Sequence, residues 1–390
     1  MTFLEYVQGH YDEMLADLKS FVELESPSDH KPSCDKFARF IADHVRAIGE
    51  PSIEISKRDE AGDHVVIRWA GPPREPPILL VGHYDTVWRL GTIEEIPFSI
   101  ADGKARGPGV FDMKAGLVQA FWAIRALLAA DALRRPLVMI CNSDEEIGSI
   151  TSRALIEDEA RKAEAVFVFE PAKDGALKTA RKSVGIFSVE LEGHAAHAGS
   201  DPEKGVSAIE ELARLTLDLH AMNDPKRGIS VNVGTFHGGT RRNVIAAHAV
   251  AQVDTRTVTN TDAEELDRAI HSLRPHNPAV RISVTGGVNR PAMERTEPVA
   301  RLFERARDLA AAELGFVLNE IAVGGGSDGS FVAALGVPVL DGLGAVGDGA
   351  HAIGEHVVVA EMPRRAALTA TLLAAPLDTP AERTAALRSG

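Results

Sequence analysis

Apolar residues recur at helical spacing over residues 11–24 and again over 35–48, with the S-P-S-D break at Ser26–Asp29 between them, so the chain is predicted to open with helices. The pattern then changes to short unbroken apolar runs closed by turn residues: ILLVG at 78–82, LVMIC at 137–141, AVFVF at 165–169 and VPVLDG at 337–342. Runs with no polar face read as strands buried on both sides of a mostly parallel sheet. Between the first two lies MKAGLVQAFWAIRALLAADAL, a long helical pattern, and strand–helix–strand alternation predicts an α/β fold. The middle has another rhythm. SVGIFSVELEG, ISVNVGTFHGG, HAVAQVDTRTV and VRISVTGG read as strands, with helices over 203–220 and 261–274. That β-α-β-β-α-β order is the order of a ferredoxin-like α+β unit.

The length of 390 residues exceeds what one hydrophobic core usually serves. Two domains are therefore expected: a catalytic-type α/β domain from 1–180 and 291–390, and an inserted one at 181–290, with the last dozen residues a frayed tail. A net charge of -14 argues against nucleic acid as a partner, and an anionic substrate would need a local cationic pocket. The N-terminal segment lacks the basic start and apolar run of a secretory signal, and no stretch approaches a membrane span. Cys34 and Cys141 are far apart and in no ligand spacing, which fits a reducing cytoplasm.

Candidate chemistry collects where the predicted strands end. ILLVG runs into His83 and Asp85, LVMICNSD into Glu145 and Glu146, AVFVF into Glu170, and VPVLDG leads through a Gly-rich loop to His351. Asp112, in G-P-G-V-F-D-M-K-A-G, stands just before the long helix. Ligands in open α/β sheets bind beyond the carboxyl ends of the strands. Taken singly, each residue has a plainer reading: structural histidines, a helix N-cap at Asp112, a solvated Glu pair. Together, two imidazoles and three carboxylates suit two hydrolytic metals rather than a structural zinc site, which prefers thiolates. Asp112 can bridge, with His83 and Glu170 completing one metal and Glu146 and His351 the other; such metals sit about 3.5–4 Å apart. Asp85 is placed to accept the second ring N–H of His83. Glu145, beside a ligand without being one, can take a proton from the attacking water and return it to the leaving amine.

The order V-G-H-Y-D-T-V, G-P-G-V-F-D-M-K-A-G, S-D-E-E-I-G-S, F-E-P and a late loop with His351 resembles the M20 metallopeptidases, most of all their glutamate carboxypeptidase branch. The resemblance implies two zinc ions (cobalt or manganese as substitutes), the ligand and base roles just described, and an inserted lid that forms a homodimer. It further implies that His197, in G-H-A-A-H-A-G, polarises the scissile carbonyl, and that Asn243, Arg256 and Arg290 bind a substrate carboxylate; the Gly-rich loop that holds Gly325 reads as a wall along which a substrate backbone can lie. Arg256 reads equally as an intradomain salt bridge. Ala246 and Ala115 depart from the family's usual Pro and Gly, which touches loop detail and not the ligands.

The expected activity is cleavage of an amide next to a free carboxylate. A carboxypeptidase releasing a residue such as glutamate, an N-acyl-amino-acid deacylase and a dipeptidase all fit, on small peptides or N-acyl amino acids. A competing chemistry is a serine hydrolase: G-G-S-D-G at 325–329 satisfies G-x-S-x-G, with Asp341 or Asp348 and His351 following Ser327 in triad order.

Overall fold

The computed structural model describes residues 1–375 and divides into two compact units. The first is built from Met1–Thr179, Arg295–Ala322 and the chain from Ser327 on; the second from Ala180–Glu294 with Val323–Gly326. The predicted terminal tail lies outside the described residues.

The first unit is a mixed α/β body around a six-stranded sheet. Its order is Ser52–Ser56, His64–Trp69, Leu137–Asn142, Ile78–His83, Ala165–Val168, Val339–Leu340. The last four run parallel, in the register Ile78↔Leu137 and Ile78↔Ala165, so their carboxyl ends come level. Ile78–His83, Leu137–Asn142 and Ala165–Val168 are buried along their whole length, which is why they read as unbroken apolar runs. VPVLDG contributes only two paired residues, because Asp341 turns away to exchange backbone hydrogen bonds with Lys178.

The two antiparallel strands at the sheet's other side are not signalled by the pattern. Ser52–Ser56 is a half-polar edge, and Arg68 interrupts HVVIRW to pair with Glu159. The helix Ala115–Ala129 is apolar nearly all round and packs against Met362–Ala374 and Tyr11–Glu23. Phe21, Phe37, Tyr84, Phe121 and Phe167 fill the core between elements, each worth about 1.5–3 kcal/mol when fully buried. A second, small sheet orders Gly347–Asp348, His356–Val358, Lys104–Arg106, Ser99–Ala101. It ties the chain just after residue 351 to the chain just before residue 112.

The second unit is an antiparallel sheet in the order Ser230–Gly238, His248–Arg256, Val184–Glu192, Arg281–Arg290, with the helices Ala208–Ala221 and Asn260–His271. The β-α-β-β-α-β order and this pairing are ferredoxin-like. Alternate residues Phe187, Val189, Leu191, Ala249, Ala251 and Val253 bury one face under Leu212, Leu215, Leu219 and Ile270, as the two-residue period of a strand requires. No helix among the described residues is long and apolar enough to cross a membrane.

Candidate metal centre

The level carboxyl ends of the parallel strands set the centre's frame. His83 is the last residue of its strand, Glu145 and Glu146 follow Leu137–Asn142 in a short 3-10 turn, and Glu170 lies two residues past Val168. Asp112 comes from an irregular turn over Val110–Lys114, with extended backbone at φ -114°, ψ 93° and a cis peptide to Met113. It does not cap the helix Ala115–Ala129, whose N-cap position is Lys114. His351 sits in a tight turn with φ +63°.

These side chains form two triads that share Asp112: His83, Asp112 and Glu170, and Asp112, Glu146 and His351, each with one potential ligand atom per residue within 4.8 Å of the others. The two carboxylate oxygens of Asp112 face different triads. Oδ1 lies 3.3 Å from His83 Nε2, which is 3.6 Å from Glu170 Oε1. Oδ2 lies 3.4 Å from His351 Nε2, which is 3.2 Å from Glu146 Oε2.

Whether the set suits metal is tested by what its buried atoms do. His83 Nε2, Asp112 Oδ1 and Glu146 Oε1 are buried and have no hydrogen-bond partner. Nε2 and Oδ1 approach each other without hydrogen-bond alignment, within a triad whose potential ligand atoms all lie within 4.8 Å of one another. A buried polar atom left this way costs about 1–3 kcal/mol, which a cation held by the triad would relieve. Electrostatics agree. Asp112 and Glu146 push the His351 imidazole up to about 10 against the effect of burial. Burial disfavours a charged ring at His83, but Asp112 and Asp85 outweigh it and raise its pKa well above the ordinary value. Burial pushes the Glu146 carboxyl up, against His351. A field that holds protons this firmly is suited to divalent cations, and the donor set of imidazole and carboxylate fits hydrolytic metals.

Asp85 has a wider job than expected. His83 Nδ1 donates to the backbone carbonyl of Asp85 at 3.1 Å, closer than the carboxylate Oδ1 at 3.4 Å. A carbonyl can only accept, so in the neutral ring Nδ1 carries the hydrogen and Nε2 keeps its lone pair. The Asp85 carboxylate instead accepts the amides of Glu145 (3.2 Å) and Glu146 (3.1 Å) and the hydroxyl of Ser28 (2.7 Å). It thereby fixes the Glu doublet against the His83 strand. Glu145 is buried and belongs to neither triad.

One residue absent from the sequence reading is Glu355. Its buried carboxylate accepts the amides of Gly109, Phe111 and Asp112 and the indole of Trp88. Its signal was slight: a Glu four residues after a candidate ligand, in a loop.

The substrate-side candidates of the second unit fall into two groups. His197 pairs with Val244 across an antiparallel bridge, and Ala198 N–H donates to the Asn243 carbonyl at 3.0 Å, so His197 and Asn243 stand side by side. His197 Nδ1 accepts the amides of Gly199 (3.1 Å) and Ser200 (3.0 Å), which leaves Nε2 as the donor of the neutral ring. Arg256 and Arg290 end their strands at the other end of the sheet, where Thr255 pairs with Gly185 and Arg290 with Val184. The strand Val184–Glu192 runs between the two groups, a span of roughly 25 Å at the rise of a strand. The four residues therefore do not converge within one copy of this unit. Asp254 takes both Nε (2.9 Å) and Nη2 (2.8 Å) of Arg256, the salt bridge that the sequence left open. Arg290 is buried and lies against Gly326, where a Cβ would come within 2.7 Å of its Cδ. The Gly325 carbonyl accepts from Arg181 at 3.0 Å.

The nucleophile-elbow reading does not survive. Ser327 is fully buried, its hydroxyl donates to Asp341 Oδ2 at 2.5 Å and accepts the Gly329 amide. An attacking serine needs a base to take its proton and a substrate within reach; this one has an acidic anchor and no exposure.

Residues 79–375 match the family described as peptidase family M20/M25/M40. Carboxypeptidase G2 of a Pseudomonas species is 32% identical over 324 residues, covering 80% of this chain and 76% of that protein. The fold matches the crystal structure of an M20 metallo-carboxypeptidase from Sulfolobus solfataricus with a TM-score of 0.74 at 18% identity, covering 93% of this chain and 99% of that one. It also matches a dinuclear metal-binding M20 peptidase from Bacillus subtilis with a TM-score of 0.65 at 14% identity, covering 94% and 98%.

Proposed function

The chain belongs to peptidase family M20, a hydrolase of peptide-type amide bonds, and from that premise we propose that it is a dinuclear zinc carboxypeptidase that cuts an amide next to a free carboxylate. The observation that carries the metal part is Asp112, whose two oxygens face separate triads as a bridging ligand's would.

His83 and Glu170 would hold one ion, Glu146 and His351 the other, with Asp112 between them. Two zinc ions there, or cobalt or manganese in their place, would polarise the scissile carbonyl and lower the pKa of the attacking water. Glu145, fixed by Asp85 through its own amide, takes the proton from that water and returns it to the departing amine. Asp85 keeps His83 in the tautomer that presents Nε2 and sets the doublet's place. His197, with Nδ1 engaged by the turn that follows it, offers Nε2–H to the developing oxyanion. Arg290, buried beside Gly326, and Arg256, engaged by Asp254, are our candidates for the substrate carboxylate, with Asn243 a further polar contact and the Gly325 loop a wall.

Since His197 and Asn243 stand at the opposite end of their sheet from Arg290, a substrate that uses both groups takes them from two copies. We therefore propose a homodimer through the second unit, and a cytoplasmic setting in line with the unpaired, buried Cys34 and Cys141.

The test is a panel of N-acyl amino acids, dipeptides and α- or γ-linked glutamyl conjugates, each with a free and an amidated C-terminus, scored by released amine. Free acids should be cut and their amides refused, because an amidated substrate gives up the charge-assisted hydrogen bonds between carboxylate and guanidinium, worth about 1.5–3 kcal/mol each. Preference for N-acetyl amino acids over peptides would move the assignment to a deacylase. Cleavage of amidated dipeptides with free N-termini, and failure on N-blocked substrates, would overturn the carboxylate clamp.

A further inference from the structure

Glu355 stands where three ligand-bearing segments meet. Oε1 accepts the amides of Phe111 (2.8 Å) and Asp112 (3.0 Å); Oε2 accepts the amide of Gly109 (3.0 Å) and the indole N–H of Trp88 (2.8 Å). Trp88 follows His83 and Asp85 in sequence, the three amides belong to the turn that presents Asp112, and Glu355 itself lies four residues beyond His351. A carboxylate offers about four lone-pair sites, and all four are filled. Placing another buried anion beside a centre already rich in carboxylates is unfavourable. The arrangement makes sense because no neutral side chain could accept four N–H groups in this way.

The surrounding backbone is built to bring Glu355 there. His356 pairs with Arg106 in the small sheet, which draws the loop after His351 onto the segment leading to Asp112. The hairpin turn from Gly347–Asp348 to His356–Val358 opens on Gly349 at φ +83°, where a Cβ would meet Glu355 N at 3.0 Å and Cα at 3.1 Å. A side chain at this position would be strained in its backbone and crowded against Glu355.

We propose that Glu355 is the positioning residue of the metal centre: it clamps the Gly109–Asp112 turn against the His351 loop, so that Asp112 presents one oxygen to each triad. The role rests on the metal reading of the two triads. It touches neither substrate nor metal, and acts through Asp112 on metal affinity and turnover, not on substrate binding. Outer partners that orient ligands in this way typically change metal affinity or activity by roughly 10- to 100-fold when removed.

The test variant is Glu355→Gln, which keeps the shape and puts an NH2 group against two N–H donors. Metal-free wild type and variant are titrated with zinc in competition with a chromophoric chelator, and Tm is measured with and without zinc. The variant should bind zinc at least about tenfold more weakly, show a smaller zinc-induced rise in Tm, and lose kcat with KM little changed. A purely structural role would lower the Tm of the metal-free protein and leave zinc affinity and the zinc-induced rise intact; that result overturns the proposal while the two-metal reading stands. If Glu355→Gln does not fold, Trp88→Phe decides: it removes one of the four donors, and should weaken zinc binding by roughly three- to tenfold, whereas wild-type affinity would overturn the clamp. A wild type that binds fewer than two zinc ions per chain overturns the metal reading and Glu355's role with it.

Discussion

Replacing Glu145 by Gln separates the base from the ligands more sharply than any other single change. The side chain is buried and lies outside both triads, and its backbone amide donates to Asp85 Oδ1 at 3.2 Å, a bond the substitution does not touch. Gln is nearly isosteric, so fold and metal content should remain as in the wild type. What disappears is the proton acceptor, whose contribution as a general base is typically 10²–10⁴ in rate, or about 3–5 kcal/mol of barrier. Glu146→Gln gives the contrasting result: Oε2 lies 3.2 Å from His351 Nε2 and Oε1 is buried without a partner, so this variant loses a charged ligand and should lose bound metal. The assay is kcat and KM on a substrate from the panel, with metal per chain measured by plasma mass spectrometry on the same samples. A Glu145→Gln protein that loses metal and recovers its rate when metal is restored would reverse the two assignments. One that keeps both metal and rate would remove Glu145 from the chemistry.

Other consequences follow from particular contacts. Mixing inactive His197→Ala with inactive Glu145→Gln under subunit exchange should restore activity, since a mixed dimer holds one site with both residues intact; no recovery would place His197 in the same chain's site. Ser327→Ala should keep its rate and lose about 1–3 kcal/mol of stability in urea, because Asp341 Oδ2 loses a buried donor; a folded variant without activity would restore the serine reading. The paired Arg68 guanidinium, helped by Lys162, pulls the Glu159 carboxyl down from its ordinary 4.5 to about 2. A depressed carboxylate stabilises the fold above its unfolded pKa and loses that effect as pH falls through the folded value. The pair's contribution should therefore fade between about pH 4.5 and 2. Arg68 is 40% exposed, so screening leaves it about 1 kcal/mol. Arg68→Met should lower stability by that amount at neutral pH and flatten the acid limb; an unchanged acid limb would show the pair to be inert.

The parallel strands were legible because Ile78–His83, Leu137–Asn142 and Ala165–Val168 are buried on both faces, so burial is written in them without a break. The candidate ligands could be read for the same reason, since a polar residue directly after such a run is conspicuous. Less was legible where structure depends on pairing far along the chain. Ser52–Ser56 is half polar because it is an edge, and HVVIRW carries an arginine because Glu159 waits for it. Glu355 was silent because its partners at Gly109–Asp112 lie more than 240 residues away and are brought to it by the small sheet. The engagement of Arg256 could have been anticipated, since Asp254 two residues earlier lies on the same strand face. That His197 and Asn243 stand apart from Arg290 needed the strand order, which no local pattern encodes.

We propose that amide hydrolysis here depends on two metals bridged by Asp112. It is tested most directly by removing metal with a chelator, dialysing, and titrating zinc back while recording both bound metal and release of amine from a free-acid substrate. The metal-free protein should be inactive and recover fully as zinc reaches two per chain, whereas Asp112→Asn should not regain the wild-type rate at the same zinc concentrations. Full activity in rigorously metal-free protein, or an Asp112→Asn variant that binds two zinc ions and turns over as the wild type does, would contradict it.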